Sequence, residues 1–172
     1  MIAVLSDTHG REDARLVGSV AEAVDSAELV IHAGDFIREP VLRAFERRSA
    51  ELVAVAGNVD DEAVRARLPP AVTLTIDGFR IALVHTVDGG ETGLAMFGKE
   101  RDADLVISGH THRPTYRWTG EVGLLNPGSH AEPRGHRAGY AELEVEDNRL
   151  VGRLCEPEGE TFEGFELVRE GK

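Results

Sequence analysis

The sequence predicts an α/β fold in which two β-sheets pack face to face with helices outside. Two observations carry that prediction. Through residues 1–70, short apolar runs alternate with segments of helical period, the pattern of parallel strands joined by helices. From residue 71 onward hairpin signals and further strand-like runs take over, which calls for a second sheet.

The elements follow in order. Ile2-Ala3-Val4-Leu5 is an apolar run that stops at Ser6-Asp7, as a buried strand does where it meets its loop. A helix is expected over residues 12–25, where Leu16, Val20, Ala23 and Val24 share a face. The unit then repeats: a strand over 29–33 runs into Gly34-Asp35, and a helix over 40–48 carries Val41, Leu42 and Phe45. A third strand, 52–56, leads to Gly57-Asn58, and a short helix over 61–67 stops before Pro69-Pro70. Residues 72–76 and 79–84 flank Asp77-Gly78, which supplies the positive φ of a tight hairpin turn. A helix over 91–101 precedes a strand over 105–108, and strands are expected over 115–118, 122–125, 140–145, 150–155 and 162–168. Asp88-Gly89-Gly90 marks a flexible loop that, by position, borders any site built on His85.

The 172 residues fit one domain, 1–172, with no linker or repeat. A 41% apolar content, without a run of about 18 apolar residues and without a basic leader, places the chain in the cytoplasm and off the membrane. One cysteine, Cys155, leaves no disulfide framework and no thiolate metal site, so any metal is held by nitrogen and oxygen. The net charge of -12 argues against duplex nucleic acid as a partner, whereas a small phosphorylated substrate suits a site made positive by bound metal. Only Lys99 and Lys172 are lysines, and such an acidic, lysine-poor surface fits a salt-rich cytoplasm or simply a GC-rich genome. A homo-oligomer is left open.

Five islands of ligand-type residues stand where strands run out: Asp7-Thr8-His9, Gly34-Asp35, Gly57-Asn58, His85, and Gly109-His110-Thr111-His112. Alone, Gly-Asp or Gly-Asn after a strand is an ordinary turn, and a strand-end histidine is ordinary too. Together they offer three carboxylate or amide oxygens and four imidazoles, a set suited to two divalent metals sharing one carboxylate. Asp7 and His9, two apart, can point to the same side in an extended loop, as can His110 and His112. Asp35 is the natural bridge, and two divalent ions against Asp7 and Asp35 leave the site about two charges positive.

On these residues the chain resembles the calcineurin-like metallophosphoesterase superfamily, and within it the compact archaeal and bacterial phosphodiesterases. The resemblance implies a four-layer fold, with Asp7, His9 and His112 on a first metal, Asn58, His85 and His110 on a second, and Asp35 between. It implies hydrolysis of a small phosphodiester by a hydroxide shared between two divalent ions, with Asp35, Asn58 and His85 expected in the catalytic set. Manganese leads the candidate metals, ahead of nickel, zinc, iron, cobalt and magnesium. The alternatives are a phosphomonoesterase on small metabolites and a protein-binding scaffold of the same fold. The retromer scaffold subunit of that fold lacks part of the ligand set, whereas this chain retains all of it.

Many members follow the asparagine with a histidine that can protonate the leaving group, but here Val59 occupies that position. Asp60 is expected to cap the following helix or to stand in as the acid. Asn126-Pro127-Gly128-Ser129 resembles a turn near the site in the compact group, with Arg134 downstream as a phosphate contact. His32 is expected as a core or supporting histidine, and His130 and His136 as loop residues without a catalytic role.

Overall fold

The computed structural model describes residues 1–169. Residues 170–172, assigned to the same domain from sequence, lie outside that range. The first half builds β1 (Ile2–Leu5), α1 (Gly18–Ser26), β2 (Leu29–His32), α2 (Glu39–Arg48), β3 (Leu52–Ala54) and α3 (Glu62–Arg65). Then come β4 (Ala71–Ile76), β5 (Phe79–Val84), α4 (Gly90–Lys99) and β6 (Leu105–Ile107). The chain closes with β7 (Thr115–Trp118), β8 (Gly123–Asn126), β9 (Tyr140–Glu146), β10 (Arg149–Cys155) and β11 (Thr161–Val168).

A six-stranded sheet has the order β11-β10-β9-β1-β2-β3, and a five-stranded sheet the order β4-β5-β6-β8-β7. In each sheet three neighbouring strands are parallel: β1, β2 and β3 in one, β5, β6 and β8 in the other. Their carboxyl ends carry the five islands.

Strand alternation makes the layers. Ile2 and Val4 of β1 point between the sheets, where they join Phe79, Ile81 and Leu83 of β5 in one apolar cluster. Ala3 and Leu5 point the other way, into a cluster with Val20 and Val24 of α1 and Val41, Leu42 and Phe45 of α2. On the second sheet Ala82 and Val84 pack outward beneath Leu94, Ala95 and Phe97 of α4. The result is helices, sheet, sheet, helix, in which each fully buried leucine or phenylalanine contributes about 1.5–3 kcal/mol. Asp77 (φ 45°) and Gly78 (φ 89°) make the tight β4–β5 turn as expected. Among the described residues no helix is long and apolar enough to cross a membrane.

Several boundaries shift by a residue or more, and two of the shifts have a visible cause. The helix expected from residue 12 begins only at Gly18, because the Asp13 carboxylate accepts the Arg15 N–H at 2.8 Å and Arg15 turns left-handed, at φ 49°. β3 ends at Ala54 rather than 56, since the Ala56 N–H leaves the sheet for the Pro69 carbonyl.

The loop before α1 is tied down by His130, whose Nε2 lies 3.0 Å from the Ala14 carbonyl and whose Nδ1 has no polar partner. Burial, joined by the nearby Arg15 charge, lowers this imidazole to about 4. The unfolded chain takes up the proton below about 6.5, and the folded chain does so only near 4. His130 therefore contributes fully above pH 6.5, and that contribution drains as pH falls toward 4, by roughly 3 kcal/mol at most. Denaturant titrations of the protein and His130→Gln should show their stability gap shrinking from pH 7 to 4.5. A gap constant with pH would contradict this.

Candidate metal centre

All five islands converge at the carboxyl ends of β1, β2, β3, β5 and β6. The convergence does not come from an extended backbone, as the two-residue spacing suggested. Asp7, His9, Asp35, His110 and His112 are all left-handed, with φ of 52°, 47°, 62°, 71° and 57°. Such conformations in non-glycine residues carry strain of about 1–3 kcal/mol each and collect at functional sites. Two of the island glycines are needed for space. A Cβ on Gly57 would collide with Asp35 Oδ1, and one on Gly109 would lie 2.7 Å from Asp7 Oδ2.

Asp7, His9, Asp35, His85 and His112 are buried, while Asn58 and His110 form the exposed rim. Donor atoms of Asp7, His9 and His112 lie within 4.8 Å of one another, and so do those of Asp7, Asp35 and His85. Asn58 Oδ1 sits 2.9 Å from both His85 Nε2 and His110 Nδ1. All seven expected residues thus surround one small volume.

The hydrogen bonds behind them set the imidazole tautomers. His85 Nδ1 donates to the Ala33 carbonyl at 2.7 Å and His112 Nδ1 to the Glu132 carbonyl, which turns each Nε2 lone pair inward. His112 Nε2 lies 3.3 Å from Asp7 Oδ1, while His9 Nε2 lies 3.3 Å from Asp35 Oδ2 and 3.8 Å from Asp7 Oδ1. These are ion-pair distances without hydrogen-bond geometry: both Nε2 atoms are buried and have no hydrogen-bond partner. Buried polar atoms are normally satisfied, so two orphaned nitrogens aimed at two carboxylates have the form of a divalent-metal site.

Charge tells the same story. Burial alone would lower His9, but the Asp35 and Asp7 carboxylates outweigh it and raise the imidazole to about 9. Burial would raise Asp35, yet His85 and His9 hold its carboxyl well below the usual range. His85 is likewise raised by Asp35 against the effect of burial. Asp35 and Asp7 demand positive charge. Nitrogen and carboxylate donors in this arrangement fit divalent cations.

Arg134 reaches the edge of the site, with Nη2 3.5 Å from His9 Nδ1. His32 is a supporting residue as expected: it accepts the Gly34 N–H at Nδ1 and so presents Nε2 to Thr8 Oγ1 at 2.9 Å. His136 is exposed and lines a cavity of about 680 Å³ that opens beside His85 and His110. Residues 88–90 border that cavity, as their position suggested.

Sequence reasoning missed the anchors. Asn126 Nδ2 donates to the Gly109 carbonyl at 2.7 Å and to Thr111 Oγ1 at 3.1 Å, holding the loop that carries His110 and His112. Ser6 Oγ lies 2.7 Å from Asp7 Oδ2, and Ser129 Oγ donates to the Asp7 carbonyl at 2.7 Å. Only the Asn126-Pro127-Gly128-Ser129 turn hinted at them. Asp60 fills neither expected role. Asp61 caps α3, accepting the Val64 N–H at 3.0 Å, whereas the Asp60 carboxylate is buried and accepts the N–H groups of Asp35, Ile37 and Gly57. An acceptor committed to three backbone donors is no proton donor to a substrate.

A family model described as a calcineurin-like phosphoesterase superfamily domain matches residues 1–148. A probable metallophosphoesterase of Methanocaldococcus jannaschii is 35% identical over 90% of this chain and 80% of its own length. A phosphodiesterase of the same organism is 27% identical over 74% of this chain and 82% of its own. Among solved structures, a conserved protein of Streptococcus pneumoniae described as a predicted phosphoesterase superposes with TM-score 0.78 at 26% identity, covering 98% and 97% of the two chains. Vps29 of Chaetomium thermophilum superposes with TM-score 0.82 at 17% identity, covering 98% of this chain and 97% of that one, a likeness of fold alone.

Asp60 locks together the loops that carry Asp35 and Asn58. Replacing it by alanine strands three buried N–H groups, at about 1–3 kcal/mol for each group left unsatisfied. Asp60→Ala is expected to lose at least about 2 kcal/mol in urea unfolding. A loss under about 0.5 kcal/mol would contradict the role.

Proposed function

Because the chain belongs to the calcineurin-like phosphoesterase superfamily, we propose that it is a metal-dependent phosphodiesterase acting on small phosphodiesters. The observation that carries this reading is the convergence of seven nitrogen and oxygen donors, two of them orphaned imidazole nitrogens. Asp7, His9 and His112 would hold one divalent ion, Asn58, His85 and His110 the other, with Asp35 serving both. Ions bound there would supply Lewis acidity toward phosphoryl oxygens and acidify water.

The chain's own groups divide the remaining work. Ala33 and Glu132 carbonyls keep the His85 and His112 lone pairs aimed inward without any rearrangement during turnover. Asn58 and His110, on the exposed rim, stand where a substrate arrives. Arg134, beside His9, is placed to meet a phosphate oxygen. What the site lacks is a proton donor next to Asn58: Val59, 43% exposed, carries only an isopropyl group, and the Asp60 carboxylate is engaged. Departure of the leaving oxygen therefore depends on its own acidity.

A scaffold role is supported by the fold likeness to Vps29 alone, whereas the complete donor set supports catalysis. The test is turnover, with manganese, of methyl aryl phosphodiesters whose aryl leaving groups run from 4-nitrophenyl to phenyl. We expect rates that fall steeply as the leaving-group pKa rises. Asp35→Asn, which keeps the side-chain shape, should lower turnover at least 1,000-fold, about 4 kcal/mol or more. Full activity of Asp35→Asn would overturn the site assignment, and bound metal without hydrolysis of any ester would favour the scaffold.

A further inference from the structure

Two cavities share a wall at the site. The larger, about 680 Å³, lies on the α4 side, where Val87, Leu94 and Leu124 give an apolar part and Arg113, Arg117, His136 and Glu91 a polar one. The smaller, about 370 Å³, lies on the α3 side, lined by Ala56, Leu68 and Pro70. His85 and Thr86 line both, and Asn58 and His110, the exposed rim donors, line one each. A phosphoryl group at His85 would thus have a recess with some apolar lining on either side, with Arg65 at the smaller one.

Resting on the phosphodiesterase reading, we propose that the two cavities take the two ester arms separately. The bulkier arm occupies the α4 cavity and the smaller arm the α3 cavity, so that lining residues on opposite sides of His85 choose the two arms independently. A monoester would leave the second recess unfilled. The size difference makes the site asymmetric, and it fits a diester with unequal arms better than one with two bulky arms. Leu94 and Leu124 on one side and Leu68 and Pro70 on the other stabilise hydrocarbon or ring surface in each arm, while the arginines of both cavities suit an anionic ester.

The ligand probes are methyl phenyl phosphate and diphenyl phosphate, which carry one and two aryl arms on poor leaving groups, bound to the manganese-loaded chain and measured by calorimetry. Pro70 and Glu91 are both exposed, and among the described residues Glu91 pairs with the exposed Arg117, so tryptophan at either position narrows a cavity without disturbing the core. Pro70→Trp should weaken diphenyl phosphate about tenfold more than methyl phenyl phosphate. Glu91→Trp should weaken both by similar factors, because each needs the α4 cavity for an aryl arm, and Thr86→Trp on the shared wall should weaken both as well. Equal effects of Pro70→Trp on the two probes, or probes untouched by Glu91→Trp and Thr86→Trp, would overturn the assignment. Binding is measured without turnover, so a failure here is distinct from failure to hydrolyse 4-nitrophenyl diesters, which would strike the phosphodiesterase reading itself.

Discussion

Two buried carboxylates set the terms for everything else in this molecule. Asp7 and Asp35 are 0% and 2% exposed, and oxygens of both lie within 4.8 Å of one another and of a His85 nitrogen. Two unit negative charges about 5 Å apart repel by about 3 kcal/mol even at an effective dielectric constant near 20. Such a pair is stable only with positive charge between or beside it. His9, raised to about 9, and His85, raised by Asp35, show how strongly the carboxylates demand it. Divalent ions meet the same demand more completely, and the orphaned nitrogens of His9 and His112 stand ready for them.

Holding that arrangement requires the rest of the fold. Five left-handed ligand residues would relax if their loops were free, so each loop is fastened from behind. Asp60 clamps the loops after β2 and β3, and Asn126 clamps the loop after β6. Ser129 fastens the loop after β1 from the turn after β8. Those turns are in turn fixed by strands whose side chains alternate between the inter-sheet core and the helix layers. The apolar core and the polar site are therefore one construction, and damage to a clamp reaches both stability and chemistry.

Much of this was legible in the residues. Buried strands announce themselves as apolar runs, and the loop after each carries its island, so the two-sheet architecture and the seven residues that come together at the strand ends were legible in the sequence. Asp77-Gly78 located its turn because positive φ leaves few choices. The failures have physical causes. Residues 12–17 keep a helical apolar spacing, yet the Asp13 side chain captures the Arg15 N–H and the backbone turns left-handed. Asp60 and Asp61 are chemically alike, and only the spatial approach of three N–H groups decides which caps and which clamps. Asn126, at the end of β8, reaches Gly109 beyond the neighbouring β6, a pairing that no local spacing encodes. Convergence of Asp7 and His9 was foreseen, but by an extended backbone that the structure replaces with strain.

The proposed two-metal centre, with Asp35 between the ions, makes a direct structural demand. Anomalous diffraction at the manganese edge from manganese-loaded crystals tests it most directly. Two peaks are expected, one among Asp7, His9 and His112 and one among Asn58, His85 and His110, with Asp35 contacting both. A single peak, or manganese bound away from these residues, would contradict it.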